Sequence, residues 1–111
     1  MASTTAVRNA MAQAWADQGD TYSLHTGYPG PDGLLLEATG PDYERLITDW
    51  GTPVDGTIIG SQLVYLVPAG DYTHMCRWNG STLVTILDTT DASITPAGEV
   101  KVTPNYTYTG D

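Results

Sequence analysis

Apolar positions repeat at helical spacing near the start of the chain. Val7, Met11 and Trp15 lie four residues apart, which places them on one face of an α-helix. A hydroxyl side chain among residues 3–5 can cap the start of this helix, and Gly19 can end it. The pattern therefore predicts an N-terminal amphipathic helix.

This helix, residues 1–20, has two ways to bury its apolar stripe. It can pack on the rest of the chain, residues 21–111, which is the usual behaviour of an amphipathic helix. Alternatively, it can dock on a partner subunit and bury Trp15 there. The pattern favours packing within the domain and leaves docking open.

After residue 20 the pattern changes to short β-like segments separated by Gly and Pro. Tyr22 and Leu24 alternate with polar residues, which predicts a half-buried strand. Asn79-Gly80 lies between two such segments and predicts a hairpin with a type I′ turn, because both central residues of that turn need positive φ. Further strands are expected at residues 57–59, 62–67, 72–78 and 82–87, near Ile94, Val100 and Val102, and at 106–108.

Other segments are less regular. Residues 25–33 contain too many Gly and Pro for a helix or strand and predict an ordered loop. The leucines at 34–36 predict a short buried or edge segment. Alternation over residues 43–50 favours a strand, with a helical turn as the alternative. Gly60-Ser61, between two apolar runs, predicts a break or bulge.

A helix followed by about seven short strands is typical of a small antiparallel β-sandwich or barrel. The 111 residues suit one domain, and 41% hydrophobic against 15% charged residues allow an ordered core. Phe is absent, so Trp and Tyr must supply much of the core volume. We expect loop or core roles for five residues: His25, Pro29, Trp50, His74 and Trp78.

The charge balance limits the possible partners. The formal net charge is −9, whereas proteins that bind nucleic acids or anionic membranes need Lys and Arg. No apolar run is long enough to span a membrane, and residues 1–5 lack the features of a signal peptide. We therefore expect no nucleic-acid partner and no membrane.

Few residues suggest chemistry. Cys76 is the single cysteine, which excludes an intrachain disulfide and suggests an inert buried thiol. His25, His74 and Cys76 could form a metal site, but histidines in such a chain more often bond to loop backbone. Acidic residues lie mostly in turns, and neither a phosphate-binding loop nor a nucleophile elbow is present. We expect no metal, no cofactor and no enzymatic activity.

Aromatic residues leave two binding hypotheses open. Tyr side chains together with Trp50 and Trp78 could form a platform for a glycan, although aromatics in β-proteins more often lie in the core. Residues 104–111 alternate Tyr and Thr, as in a last strand of the domain or a strand added to a neighbour's sheet. The candidate partner-binding residues are Val7, Met11, Trp15, Tyr106 and Tyr108.

Several motifs occur together in an order that resembles a known family. Residues 24–30 read Leu-His-Thr-Gly-Tyr-Pro-Gly, after an Ala-rich N-terminal helix. Later motifs are Tyr43-x-Arg45 ending in Trp50, Val-Pro-Ala-Gly at 67–70, and Thr73-His74 in a strand ending in Trp78. In this order the chain, to about residue 87, resembles small virion proteins of actinobacteriophages that are usually labelled minor tail proteins.

This resemblance implies an accessory structural protein of a bacteriophage virion, assembled in the host cytoplasm. It would bind other virion proteins, either the major capsid protein as a decoration protein or tail proteins. A site shared by neighbouring capsomers often has local threefold symmetry, which suggests a homotrimer or another homo-oligomer. The alternative is a tail-associated carbohydrate-binding module for host attachment. Family members commonly have Ala-Asp where this chain has Gly27-Tyr28.

Overall fold

The structure is a computed structural model that describes residues 4–94 and 98–108. The described residues form one helix and eight strands: α1 (Thr5–Asp17), β1 (Thr21–His25), β2 (Leu46–Ile47), β3 (Thr57–Ile59), β4 (Leu63–Val67), β5 (Gly70–Asn79), β6 (Thr82–Ile94), β7 (Gly98–Val102) and β8 (Asn105–Thr107). The regular elements of the described residues are mainly strands, the sheets are antiparallel, and they do not close into a barrel. The mainly β prediction with one N-terminal helix is confirmed, and the barrel alternative is wrong.

Helix α1 begins and ends close to the predicted positions. The Thr4 hydroxyl accepts a hydrogen bond from the Val7 backbone N–H at 3.2 Å and caps the first turn. At the other end, the Gln18 N–H donates to the Trp15 carbonyl oxygen at 3.2 Å. Residues 19 and 20 then lead directly into β1.

The helix packs on the domain, but only part of the predicted apolar stripe takes part. Ala12 and Ala16 are buried against Ile58 of β3, whereas Val7 and Met11 remain 48% and 45% exposed. The small alanine side chains let the helix backbone approach the strand closely, which larger side chains would prevent. Of the predicted apolar stripe, Trp15 packs against this cluster within the domain, so the prediction is confirmed for Trp15 and wrong for Val7 and Met11.

The central sheet has the strand order β2-β1-β5-β6. In β1 every residue from Tyr22 to His25 is buried, so the half-buried prediction is wrong. On one face, the Tyr65 hydroxyl of β4 donates to the Tyr22 carbonyl at 2.9 Å, which ties the β4–β7 pair to this sheet. On the other face, the loop after β1 lies over His25. Strand β1 thus forms the middle layer of the molecule.

The β5–β6 hairpin is confirmed, with its turn moved by one residue. Asn79 pairs with Thr82, so the two turn residues are Gly80 and Ser81. Only Gly80 has a positive φ, 60°, which fits a turn with glycine first rather than the predicted type I′ turn. Strand β6 also continues past the predicted end to Ile94.

The two apolar runs on either side of Gly60 belong to different sheets. Strand β3 pairs with β8, and β4 pairs with β7. Gly60 marks the corner between them, and a Cβ there would collide with the Thr48 side chain. The main core lies between the central sheet and the β4–β7 pair, around Tyr22, Leu24, Tyr65 and Met75. Within residues 4–94 and 98–108, no helix is long and apolar enough to cross a membrane.

Candidate functional site

The most exposed apolar segment of the described chain is the loop that follows β1. Leu34, Leu35 and Leu36, here called the leucine loop, are 64%, 57% and 57% exposed. Leu36 also has a φ of 57°, in the left-handed region that few non-glycine residues adopt. The buried alternative for 34–36 is wrong, because the backbone rather than the side chains of this segment faces the protein. The edge alternative fits better, since the Thr26 N–H bonds to the Leu36 carbonyl and His25 forms an antiparallel bridge with Glu37.

The backbone of the leucine loop is fixed by residues of the Leu-His-Thr-x-x-Pro-Gly motif. The Thr26 N–H donates to the Leu36 carbonyl at 2.9 Å, and the Leu35 N–H donates to the Pro29 carbonyl at 2.9 Å. The His25 ring nitrogen Nδ1 lies 2.8 Å from the Leu35 carbonyl oxygen. Because these bonds take up the backbone groups, the three leucine side chains are held toward solvent.

Glycines of the same motif make room for the leucine side chains. A Cβ on Gly27 would lie 2.9 Å from Leu36 Cδ1, and one on Gly30 would lie 3.1 Å from Leu35 Cδ1. Gly30 also has a φ of 79°, which favours glycine. The leucines therefore lie directly over the two glycines, and larger residues there would displace them.

A chain of buried hydrogen bonds lies beneath the loop. The Trp78 Nε1–H donates to Ser23 Oγ at 2.8 Å, and Ser23 Oγ lies 2.7 Å from His25 Nε2. Because the Leu35 carbonyl can only accept, His25 carries its hydrogen on Nδ1, and Nε2 accepts the Ser23 hydroxyl hydrogen. Burial lowers the pKa of His25, which favours this neutral form.

The Ser23–His25 pair resembles a nucleophile with its general base, but it is closed to substrates. Both residues are 0% exposed, and Ser23 Oγ is already occupied by Trp78. Cys76 is also buried, and burial raises the pKa of its thiol, which disfavours the reactive thiolate. In the part of the chain that the structure describes, no group of three or more His, Cys, Asp or Glu could hold a metal ion.

Next to this chain, Glu37 organises a second polar cluster. It accepts hydrogen bonds from Arg45 Nε and Nη2 at 3.0 and 2.8 Å, and from the Tyr43 hydroxyl at 2.7 Å. Burial alone would raise the pKa of Glu37, but the bonds from Arg45 and Tyr43 outweigh it, and the pKa is lowered. The Arg45 guanidinium also stacks 4.1 Å above the Trp78 ring. This cluster fixes the end of the loop to the central sheet.

The surface is acidic beyond what the net charge suggests. Of the four basic residues, Arg8 pairs with Asp55, Arg45 pairs with Glu37, and Arg77 is 1% exposed. Lys101 is the remaining cation, against thirteen acidic residues in the chain. Any protein that binds this surface is attracted if it presents Lys or Arg.

The predicted partner-binding residues occupy two different environments. Trp15 and Tyr106 stack on each other, with ring centroids 4.4 Å apart and planes 7° apart, so much of their surface is used within the chain. Tyr108 is partly buried, while Val7 and Met11 are exposed on the outer face of α1. Residues 105–107 form β8 and pair with β3 of the same chain.

The residues predicted for loop or core roles, and the aromatic residues, lie mostly inside. His25, Pro29 and Trp78 are buried, and Trp50 and His74 are partly buried. Among the aromatic residues of segments 4–94 and 98–108, Tyr28 is the one with a largely exposed side chain, at 59%. A glycan platform would need several exposed rings, and Trp78 is only 2% exposed.

The fold and site define a mainly β protein with one N-terminal helix and a rigid exposed leucine loop. Comparison of the chain with known protein families, with curated proteins and with solved structures found no match. The sequence signals did not identify the leucine loop as an exposed surface. The exposure of these leucines depends on backbone bonds to Thr26 and Pro29, which no local sequence signal contains.

Proposed function

We propose that this chain is an accessory structural protein of a bacteriophage virion that binds other virion proteins and catalyses no reaction. The observation that carries the proposal is the leucine loop, because three consecutive apolar side chains are held toward solvent by bonds to a buried layer. A contiguous exposed apolar patch is a candidate surface for protein contacts. The resemblance of residues 24–30 to phage virion proteins supplies the kind of partner.

The Leu-His-Thr-x-x-Pro-Gly motif supports this proposal physically. His25, Thr26 and Pro29 each bond to the backbone of the leucine loop. A loop already fixed in one shape loses little conformational entropy when it binds. The motif on which the resemblance rests therefore serves to present a contact surface rather than to hold a ligand or a reacting group.

Charge indicates the chemistry of the partner surface. In the described chain, Lys101 is the one basic residue that is neither in an ion pair nor buried in the core. A partner surface with an apolar depression surrounded by Lys or Arg would therefore complement the leucine loop and the acidic surface around it. Many copies on a repetitive particle surface would multiply a modest affinity for each site. Binding to the capsid shell as a decoration protein suits these features. The alternative is binding to tail proteins.

The alternative functions have less support. A carbohydrate-binding module would present several aromatic faces, whereas Trp50 and Trp78 are partly and fully buried. An enzyme would need an accessible reacting group, whereas Ser23, His25 and Cys76 are each 0% exposed. Structural binding thus remains the function with a surface suited to it.

Co-sedimentation tests the proposal directly. The full chain is mixed with capsids that lack it, or with isolated tails, from the phage that encodes it, and pelleted. We expect the protein to pellet with one of the two particles. The triple variant Leu34→Ser/Leu35→Ser/Leu36→Ser should stay in the supernatant and unfold at nearly the wild-type temperature, because these side chains are exposed.

Two further variants serve as comparisons. Ile47→Ser removes an equally exposed apolar group, 65% exposed, outside the loop and should bind like wild type. Val7→Ser/Met11→Ser tests the outer face of α1. Failure of the wild-type chain to bind either particle would overturn the proposed function, and binding that is lost only in the helix variant would assign the contact to α1 instead of the loop.

We also propose that the chain forms a homotrimer or another homo-oligomer on the particle. The support is general, because a shared site between capsomers often has threefold symmetry. Sedimentation equilibrium of the free chain and counting of copies in a virion map would measure it, and a monomeric, singly bound copy would contradict it.

A further inference from the structure

A cavity of about 340 Å³ lies between the central sheet and the C-terminal strands. Its walls include Trp15, Tyr106, Met75, Leu87 and Val102, so they are mainly aromatic and aliphatic. This volume is within the range of small-molecule sites in proteins. The lining residues of the cavity do not include those of the leucine loop. A ligand of this cavity is therefore a separate question from the function proposed above.

Arg77 gives this cavity a buried positive charge. Its side chain lines the cavity and is 1% exposed. Asp20 interacts with it electrostatically, but the ion pairs in the described chain are formed by Arg8 and Arg45. Arginine stays protonated in proteins, so the charge remains although burial lowers the pKa of Arg77. A buried charge without a counter-ion is unfavourable unless polar groups surround it.

One edge of the guanidinium is occupied by the end of helix α1. Nε donates to the Gly19 carbonyl at 2.9 Å, and Nη2 donates to the carbonyls of Trp15 and Ala16. These contacts place a cation at the negative end of the helix dipole. The guanidinium carbon also lies 3.7 Å above the Trp15 ring, which fixes the plane of the group.

The remaining nitrogen, Nη1, is buried and has no hydrogen-bond partner. Because the guanidinium is planar and its Nε–Nη2 edge faces the helix end, Nη1 points away from the helix. Tyr22, which lines the same cavity, lies close enough to Arg77 for its hydroxyl to interact with the guanidinium both electrostatically and as a hydrogen-bond partner. Burial raises the pKa of Tyr22, so its hydroxyl remains protonated and can donate a hydrogen bond. Two residues with hydrogen-bond donors, Arg77 and Tyr22, therefore line a mainly apolar cavity.

We propose that this cavity binds a small organic monocarboxylate with an apolar body. The carboxylate accepts hydrogen bonds from Arg77 Nη1 and the Tyr22 hydroxyl, and the body packs on Trp15, Tyr106 and the aliphatic wall. A monocarboxylate suits the site better than a phosphate, because the walls are apolar and the net charge of −9 repels multiply charged anions.

The test uses the full chain with 3-phenylpropionate as the probe, followed by ¹⁵N–¹H NMR of the Trp15 indole. We expect saturable shifts of that signal, and binding about tenfold weaker for 3-phenylpropionamide, which keeps the shape and loses the charge. Inorganic phosphate should produce no saturable shift. Equal binding of acid and amide, no saturable binding of the acid, or saturation by phosphate alone would each overturn the proposal.

A variant that blocks the cavity avoids removing Arg77, whose loss can prevent folding. Thr85 is exposed and lines the cavity, so Thr85→Phe should fill the entrance and abolish binding of 3-phenylpropionate. Thr82→Phe, an exposed position on the same strand outside the cavity, should bind normally. Unchanged binding in Thr85→Phe would show that the probe binds elsewhere and would refute this site.

Discussion

The Nδ1 hydrogen of His25 is donated to the carbonyl oxygen of Leu35 over 2.8 Å. This bond joins a fully buried strand residue to the most exposed apolar segment of the described chain. On the other side of the ring, Nε2 accepts from Ser23, which in turn accepts from Trp78. The position of the leucine loop is therefore coupled to the interior of the central sheet.

Replacing His25 should release the loop and destabilise the fold. His25→Ala leaves the Ser23 hydroxyl and the Leu35 carbonyl without their buried partner, and we expect a loss of about 3 kcal/mol in the free energy of unfolding. His25→Asn can still donate to the Leu35 carbonyl and should lose less. Urea unfolding measures both variants.

Hydrogen exchange supplies the second measurement for His25. Exchange of the Leu35 amide, bonded to Pro29, should become faster in His25→Ala than in His25→Asn. If both variants keep the wild-type exchange rate at Leu35, His25 does not hold the loop.

The unfolding free energy should also depend on pH through His25. Burial lowers its pKa in the folded state below the ordinary value of 6.5, so between these two values the unfolded chain binds a proton that the folded chain does not. The contribution to stability is complete above pH 6.5 and is lost as the pH falls toward the folded pKa. We expect wild type to lose more stability than His25→Asn between pH 7 and pH 5.

The comparison with His25→Asn cancels the other titrating groups, which both proteins share. The quantity to measure is the difference between the two unfolding free energies at each pH. A difference that stays constant from pH 7 to pH 5 would contradict the burial of a neutral imidazole.

Local sequence signals predicted the elements better than the surfaces. The Asn79-Gly80 pair located the β5–β6 hairpin, because Asn-Gly between two β segments is typical of a tight turn. The pairing of Asn79 with Thr82 moves that turn by one residue. The helix was predicted from the spacing of Val7 and Met11, yet these side chains face outward. The helix face that packs is the one whose small residues, Ala12 and Ala16, let Ile58 of β3 come close. That contact belongs to the tertiary structure and is not contained in the local pattern.

The candidate site was only partly visible in the sequence. The motif at 24–30 drew attention to His25 and Pro29, both of which proved to be buried supports of the leucine loop. The exposure of the leucines follows from long-range backbone bonds that no local pattern contains. The burial of Arg77 likewise depends on the end of helix α1, some sixty residues earlier in the chain.

A methyl group at Gly60 should destabilise the corner between β3 and β4. A Cβ there would collide with the side chain of Thr48, which is buried and donates to the Ser61 carbonyl at 2.8 Å. Gly60→Ala should therefore lower the unfolding free energy by about 1–3 kcal/mol. Thermal or urea unfolding measures the change.

Gly70 provides the matched control for Gly60. A Cβ at Gly70 would meet the Tyr72 hydroxyl oxygen at 3.6 Å, an ordinary contact, so Gly70→Ala should change the stability by less than about 1 kcal/mol. Equal effects of the two substitutions would show that the close approach of Thr48 does not govern the corner.

Arg45 should be more sensitive than Arg8 to replacement by lysine. Arg45 bonds Glu37 through two nitrogens and stacks on Trp78, and lysine can reproduce neither the fork nor the stacking. We expect Arg45→Lys to lose about 1 kcal/mol at pH 7. Arg8→Lys should lose less, because its partner Asp55 is 69% exposed and such pairs contribute little.

The pH dependence of Arg45→Lys follows from Glu37. The folded pKa of Glu37 is lowered from the ordinary 4.5, so its contribution is present above pH 4.5 and is lost as the pH falls through the folded value. The difference between wild type and Arg45→Lys should therefore shrink below pH 4.5, as Glu37 becomes protonated and the ion pair disappears in both. Urea unfolding at pH 7, 4.5 and 3.5 measures it. A difference that persists unchanged at pH 3.5 would mean that stacking on Trp78, rather than the bond to Glu37, is what lysine fails to replace.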